Sequence, residues 1–180
     1  MDDKDLLALF REEGKENYAF NLIVDKYSER LYWHIRKLVA SHDDANDLLQ
    51  NTLIKAWGAL PQFREESRLF TWLYRIATNE TLTFLKKSKM KAFLSLSDYS
   101  KQVESQVEAD PFFNGDDAQR TFRKAVMKLP EKQRAVFNMS YYDDMKYEEI
   151  SEVLGTSVGA LKASYHHAFQ KIQDILRDSV

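Results

Sequence analysis

The chain has 180 residues, 26 Lys+Arg against 28 Asp+Glu, 44% hydrophobic and 13% aromatic content, and no cysteine. That length suits one large domain or two small ones, and that apolar content excludes wholesale disorder. Without cysteine there is neither a disulfide framework nor a thiolate metal site, which suits a reducing compartment. The acidic start "MDDKDLLALF" lacks the basic end and long apolar run of a secretory signal. No stretch approaches about 18 uninterrupted apolar residues, so a cytoplasmic protein without membrane insertion is expected.

The net charge of −2 averages over unlike segments. Residues 1–92 carry 15 basic against 14 acidic side chains, residues 93–118 one against six, and residues 119–180 ten against eight. Local clusters such as "KKSKMK" (86–91) therefore matter more than the total, because screening acts over roughly 8 Å. Five glycines, three prolines and recurring helix-period patterns predict an all-α protein. The segment "FLSLSDYSKQVESQVEADPFFNGDD" (93–117) breaks that periodicity and reads as a flexible acidic linker. It divides the chain into two small helical domains, 1–92 and 119–180, around a 93–118 linker.

In "DDANDLLQNTLIKAW" (43–57), acidic residues mark a helix amino end. Ala45, Leu48, Leu49, Thr52, Ala56 and Trp57 form a stripe expected to face the core. Asp47, Gln50, Asn51 and Ile54 form a second stripe, which is either a plain solvated face or, with its exposed Ile54, an interface. Past Pro61, in "LFTWLYRIATNETLTFLKKSKMK" (69–91), Phe70, Leu73, Ile76, Ala77, Thr81 and Phe84 can pack inward. Trp72, Arg75, Asn79, Lys86 and Lys87 lie around the other sides. Aromatics among cations suit a single nucleic-acid strand, since rings stack on bases at ~1–3 kcal/mol each and cations follow phosphates.

The last domain reads as successive helices: "AQRTFRKAVMKL", then "PEKQRAVFNMSY" with Pro130 as first helical residue, then "YEEISEVLG" and "TSVGALKASYHHAFQKIQDIL". Gly155 ends one helix and Ser157 or Thr156 caps the next, which is a helix-turn-helix pattern. In the last helix Val158, Leu161, Tyr165, Ala168, Ile172 and Ile175 form the inward stripe. Gly159, Lys162, Ala163, His166, Gln170 and Gln173 then face outward, small and polar near the amino end, where a recognition helix meets base edges. Lys162 can donate to guanine, Ala163 can meet a thymine methyl, and His166 can donate or accept. Adjacent His166 and His167 diverge by about 100° around the helix, so they do not chelate one metal ion. There is no glycine-rich phosphate loop and no His–carboxylate constellation around His34 or His42, so neither an enzyme nor a cofactor is expected.

These residues resemble a known family. "AFNLIVDKYSERLYW" (19–33), "DDANDLLQNTLIKAW" (43–57), "FTWLYRIATNE" (70–80), "LPEKQRAVF" (129–137) and "YEEISEVLGTSVGALKASYHHAFQKI" (147–172) match, in order and spacing, the extracytoplasmic-function group of bacterial sigma factors. The resemblance covers nearly the whole chain. It implies a non-catalytic, two-domain helical protein that binds core RNA polymerase, directs it to promoter DNA and helps open it. It places Asp47, Gln50, Asn51 and Ile54 against the polymerase clamp helices. It places Phe63, Arg75, Asn79, Lys86 and Lys87 on the separated upstream strand, and Ser157, Lys162, Ala163, His166 and His167 on the upstream promoter box. An anti-sigma inhibitor is the family's usual partner and is expected here.

Where the family usually carries arginines, this chain has Ala163, Ser164, Tyr165, His167 and Phe169. Few cations release few counterions, so weak, weakly salt-dependent duplex binding is expected of the isolated second domain, and promoter choice that depends partly on a DNA-bound recruiting protein is a further reading. The competing reading is a free-standing helix-turn-helix regulator, which leaves residues 19–91 without a role.

Overall fold

In the computed structural model, which describes residues 1–179, the chain is entirely helical apart from its turns. The amino-terminal helices are α1 (Asp3–Phe10), α2 (Glu16–Leu38), α3 (His42–Ala59) and α4 (Leu69–Leu94), with a 3₁₀ turn at Leu60–Gln62 between the last two. Side-chain caps set several starts: Asp2 accepts from the Asp5 amide at 2.8 Å, and Ser41 from the Asp44 amide at 3.3 Å. Asp43 and Asp44 then occupy the first turn of α3, where the helix dipole favours anions.

The carboxy-terminal helices are α6 (Asp117–Met127), α7 (Glu131–Tyr141), α8 (Tyr147–Leu154) and α9 (Val158–Asp178). Asp116 and Gln119 form a reciprocal capping box at the start of α6. Pro130 stands one position earlier than expected, as the cap of α7, because its φ of −52° pairs with an extended ψ of 145°. Gly155 ends α8 at φ 69°, a left-handed conformation natural to glycine, and Ser157 opens α9 by accepting from the Ala160 amide.

The expected flexible linker is ordered. It holds a helix, α5 (Tyr99–Glu108), capped by Asp98, and α4 itself runs on to Leu94. Val103 and Val107 lie one turn apart and seal α5 onto Ala40, at the end of α2, and Met127, at the end of α6. Its acids are not simply solvating: Asp110 is buried between Arg36 and Arg123, and Glu108 pairs with Lys124. Loop-like composition concealed a segment whose few apolar residues are well placed.

The two helical regions share a core. Leu31, Ile35, Leu69 and Leu73 from the first lie in the same buried cluster as Val136, Met139, Ile150 and Leu161 from the second. Helix α4 is consequently buried on more than the expected face: Tyr74, Thr78 and Leu85 are inside along with Phe70, Leu73, Ala77 and Thr81. A smaller cluster under α6, α7 and α9 holds Ala125, Phe137, Ala168 and Ile172.

Candidate nucleic-acid and polymerase interfaces

Helix α3 separates its two stripes cleanly. Ala45, Leu48, Thr52 and Ala56 are buried, and the Thr52 hydroxyl donates to the Leu48 carbonyl at 2.7 Å. Asp47, Gln50, Asn51 and Ile54 are all exposed, Ile54 by 69%, which a plain solvated face does not require. Trp57 departs from the expected core position: it is 39% exposed and lies edge-on to Phe10 and Phe20, with centroids 5.8 and 5.1 Å apart. Residues α1 supplies therefore close this corner, and the indole is left at the rim.

On α4 and the turn before it, the expected strand readers fall into three environments. Asn79, Lys86 and Lys87 are exposed. Phe63, which ends the 3₁₀ turn, is only 8% exposed, its ring tilted against Trp72 at 4.8 Å, so here it anchors the loop and offers no free face to a base. Arg75 is half-buried, and its Nε and Nη2 both donate to the Glu152 carbonyl of α8, at 2.9 and 2.6 Å. Arg75 and Asn79 are one turn apart, so they share a side of the helix, yet only Asn79 is free.

On α9 the outward face is as the wheel requires: Gly159, Lys162, Ala163, His166, Gln170 and Gln173 are exposed, while Leu161, Ala168 and Ile172 are buried. Tyr165, on the inward stripe, is half-buried and stacks on Phe137 at 5.6 Å. His167 is exposed too, and the His166 and His167 ring centroids are 6.3 Å apart. Among the described residues no group of three or more His, Asp or Glu side chains is placed to hold a metal ion. The Ser157 hydroxyl is engaged in capping.

The junction between the regions holds a cluster that the sequence pattern did not reveal, with Asp143 brought to 3.7 Å from His34, where no carboxylate neighbour was expected. His34, fully buried, stacks on Tyr74 at 4.1 Å and meets the Thr78 hydroxyl through Nε2 at 2.7 Å. That hydroxyl already donates to the Tyr74 carbonyl, so His34 Nε2 carries the hydrogen and Nδ1 is a bare acceptor. Burial lowers the histidine's pKa, so it is held neutral against the pull of nearby Asp143. A helix-period count does not reveal this, because His34 is inward-facing only once α4 is in place.

The exposed outer face of α9, entered through the α8–α9 turn, and on the other region the exposed polar-aliphatic face of α3 beside the basic, aromatic α4, are the features expected of a helix-turn-helix transcription protein. Residues 23–90 match the family model for sigma-70 region 2, and residues 119–172 that for sigma-70 region 4. The chain is 30% identical over 168 residues to the ECF RNA polymerase sigma factor SigW of Bacillus subtilis, covering 89% of this chain and 90% of that one. It therefore belongs to the extracytoplasmic-function family of RNA polymerase sigma factors. Such a protein binds core RNA polymerase, directs it to promoters, and is not an enzyme. The region 2 match also gives a role to residues the free-standing regulator leaves idle.

Two solved structures share the fold. CnrH in complex with the cytosolic domain of CnrY is 21% identical, with a TM-score of 0.69 and 99% of each chain covered. The sigma factor RpoE in complex with the anti-sigma factor NepR from Bartonella quintana is 24% identical, with a TM-score of 0.65, covering 88% of this chain and 96% of that one. No helix among the described residues is long and apolar enough to cross a membrane.

Proposed function

We propose that the family's tasks are divided among three surfaces of this chain. Asp47, Gln50, Asn51 and Ile54 dock α3 on core polymerase. Asn79 and Arg75, with Phe63 once its loop opens, read the separated strand, while Lys86 and Lys87 neutralise its phosphates. Ser157, Lys162, Ala163, His166 and His167 meet the upstream duplex. The working units are residues 1–92 and 119–180, with 93–118 connecting them, and the protein acts in the cytoplasm, where the polymerase is.

The observation that carries this reading is the coincidence of exposure with role: the α3 and α9 faces are free although both helices bury their opposite sides. Unpairing a base costs a few kcal/mol, which stacking and edge hydrogen bonds offset, so a basic helix with an adjacent aromatic pair is suited to strand capture. The outward α9 face carries one lysine, Lys162, beside His166 and His167, and no arginine. Duplex grip is therefore modest, and a second DNA-bound protein supplies the remainder at some promoters. An anti-sigma factor is the other partner, in keeping with the partners named for the two structural relatives.

Substituting Lys162→Ala with His166→Ala tests the assignment of α9. Footprinting of the complete holoenzyme is expected to lose protection over the upstream box, while the start-proximal footprint persists at higher enzyme concentration. Each lost base contact is worth about 1–3 kcal/mol, so the required concentration rises roughly tenfold or more. An unchanged upstream footprint would remove α9 from the reading surface.

A further inference from the structure

The three most exposed large apolar side chains among the described residues are neighbours: Leu96 at 94%, Leu94 at 75% and Phe93 at 74%. They stand at the end of α4, whose last turns bury Leu85 and Ala92 against the molecule. By helical period Met90 and Leu94 fall on the side opposite that pair, with Lys86, Lys87, Phe93 and Lys91 flanking them, and all six are exposed. A contiguous apolar tip of this kind marks a contact surface.

The turn that follows holds the tip out. The Leu96 amide bonds the Phe93 carbonyl at 3.1 Å and the Ser97 amide bonds the Ala92 carbonyl at 2.9 Å, the paired bonds of a Schellman cap. Leu96 occupies the left-handed position of that cap, φ 57°, where glycine is the ordinary choice and a leucine is strained. Folding alone favours glycine there, so the strain and the exposure together point to a function outside the folded chain.

Charge surrounds the tip with one sign. Residues 86–101 carry five lysines, Lys86, Lys87, Lys89, Lys91 and Lys101, against a single acid, Asp98, which caps α5 by accepting from the Lys101 amide at 3.1 Å. Of the five only Lys89 meets an acid among the described residues, Glu131 at 3.5 Å.

We propose that this end of α4 is a membrane-surface contact. Met90, Phe93, Leu94 and Leu96 enter the boundary between headgroups and acyl chains of an anionic bilayer, the lysines hold its phosphates, and the chain lies on the bilayer, not across it. Leucine and methionine have no ring face to offer a base, so a nucleic-acid strand would cover the lysines and leave the aliphatic side chains wet. Lipid covers both: apolar area sinks below the headgroups, and the lysine stems lie along it with their ammonium groups at the phosphates. Each lysine within a Debye length of an anionic surface adds to the attraction. Lys86 and Lys87 are shared with the proposed strand-reading surface, so lipid and strand compete for them, but vesicle binding does not rest on that assignment.

Flotation of the full chain with vesicles tests the contact. Vesicles of phosphatidylglycerol and phosphatidylcholine in equal parts should carry the chain at about 0.1 M salt and release most of it at about 1 M, where screening shortens to about 3 Å; phosphatidylcholine alone should carry little. Phe93→Ser with Leu94→Ser should lower partitioning by roughly tenfold, and Lys87→Gln with Lys91→Gln by a similar factor. Leu96→Gly separates this role from a structural one: it should melt higher, because glycine is at ease at this φ, yet bind roughly threefold more weakly. No flotation with the anionic vesicles, equal flotation with both kinds, or binding unmoved by the apolar pair in a folded chain would overturn the proposal. So would a dimer in vesicle-free sedimentation that the apolar pair disperses, which gives the tip to a second copy. A loss of core-polymerase competition by that pair, without any vesicle binding, overturns it too and gives the tip to the polymerase.

Discussion

The double substitution Gln50→Arg with Ile54→Asp weakens holoenzyme formation by roughly 100-fold while leaving the isolated chain as stable as before. All four residues proposed to dock are exposed on the side of α3 away from Ala45, Leu48, Thr52 and Ala56, so changing them opens no cavity and breaks no internal bond. Surface changes of this kind move stability by about 0.5 kcal/mol or less. In a complex, by contrast, a carboxylate in place of Ile54 must be desolvated at the centre of an apolar contact, a loss of about 2 kcal/mol or more. With the misplaced arginine added, affinity for core polymerase falls by roughly 100-fold, at about 1.4 kcal/mol per tenfold. Competition against the unaltered chain for core polymerase, beside a thermal melt of each, checks it. An unaltered competition curve would move docking away from this face.

Asp110→Ala unfolds much of the molecule's margin at a position that looks like linker. The carboxylate lies between Arg36 and Arg123, whose side chains are themselves largely buried, and it also accepts from the Phe112 amide at 3.0 Å. Removing it leaves two like charges facing each other inside, each still tied to the Ala40 carbonyl. Breaking such a buried pair costs about 3–5 kcal/mol, set against total stabilities of about 5–15 kcal/mol. Urea unfolding at neutral pH measures the loss directly.

The same carboxylate has a pH signature. Burial alone would raise its pKa, but Arg123, the Phe112 amide and Arg36 together hold it below the ordinary value of 3.8. The folded state thus binds fewer protons than the unfolded one. Its contribution is complete above 3.8 and disappears as pH falls through the lower folded value. Acid titration of the parent should show that decline, and Asp110→Ala should lack this part of it. A variant as stable as the parent at neutral pH would remove Asp110 from the account of how the linker is held.

The α3 and α9 stripes were legible because each helix buries one face and leaves the opposite one to solvent, and the 3.6-residue period reports that directly. The buried Tyr74, Thr78 and Leu85 were not, because α4 is covered by helices from both regions and a doubly covered helix has no clean polar side. Nor was α5, which is mostly polar and held by two valines, a cap and ion pairs to residues distant in sequence. The exposure of Trp57 and the burial of Phe63 escape a local pattern for opposite reasons. A large ring can finish at a rim though its helix position points inward, and a loop aromatic can bury itself on a neighbour such as Trp72. Among the site residues, the free faces of α3 and α9 could be read off, whereas the engagement of Arg75 by Glu152 depends on a contact across 77 positions, beyond any local pattern.

The central claim is that these helices act on promoters only when mounted on polymerase. Run-off transcription from a promoter mapped for this chain, using purified core polymerase with and without it, tests that most directly. Promoter-specific transcripts should require both components and, at concentrations that just saturate the unaltered chain, fall steeply with the Gln50→Arg, Ile54→Asp variant. Transcripts of equal amount and start site from core polymerase alone, or none when the intact chain is added, would contradict it.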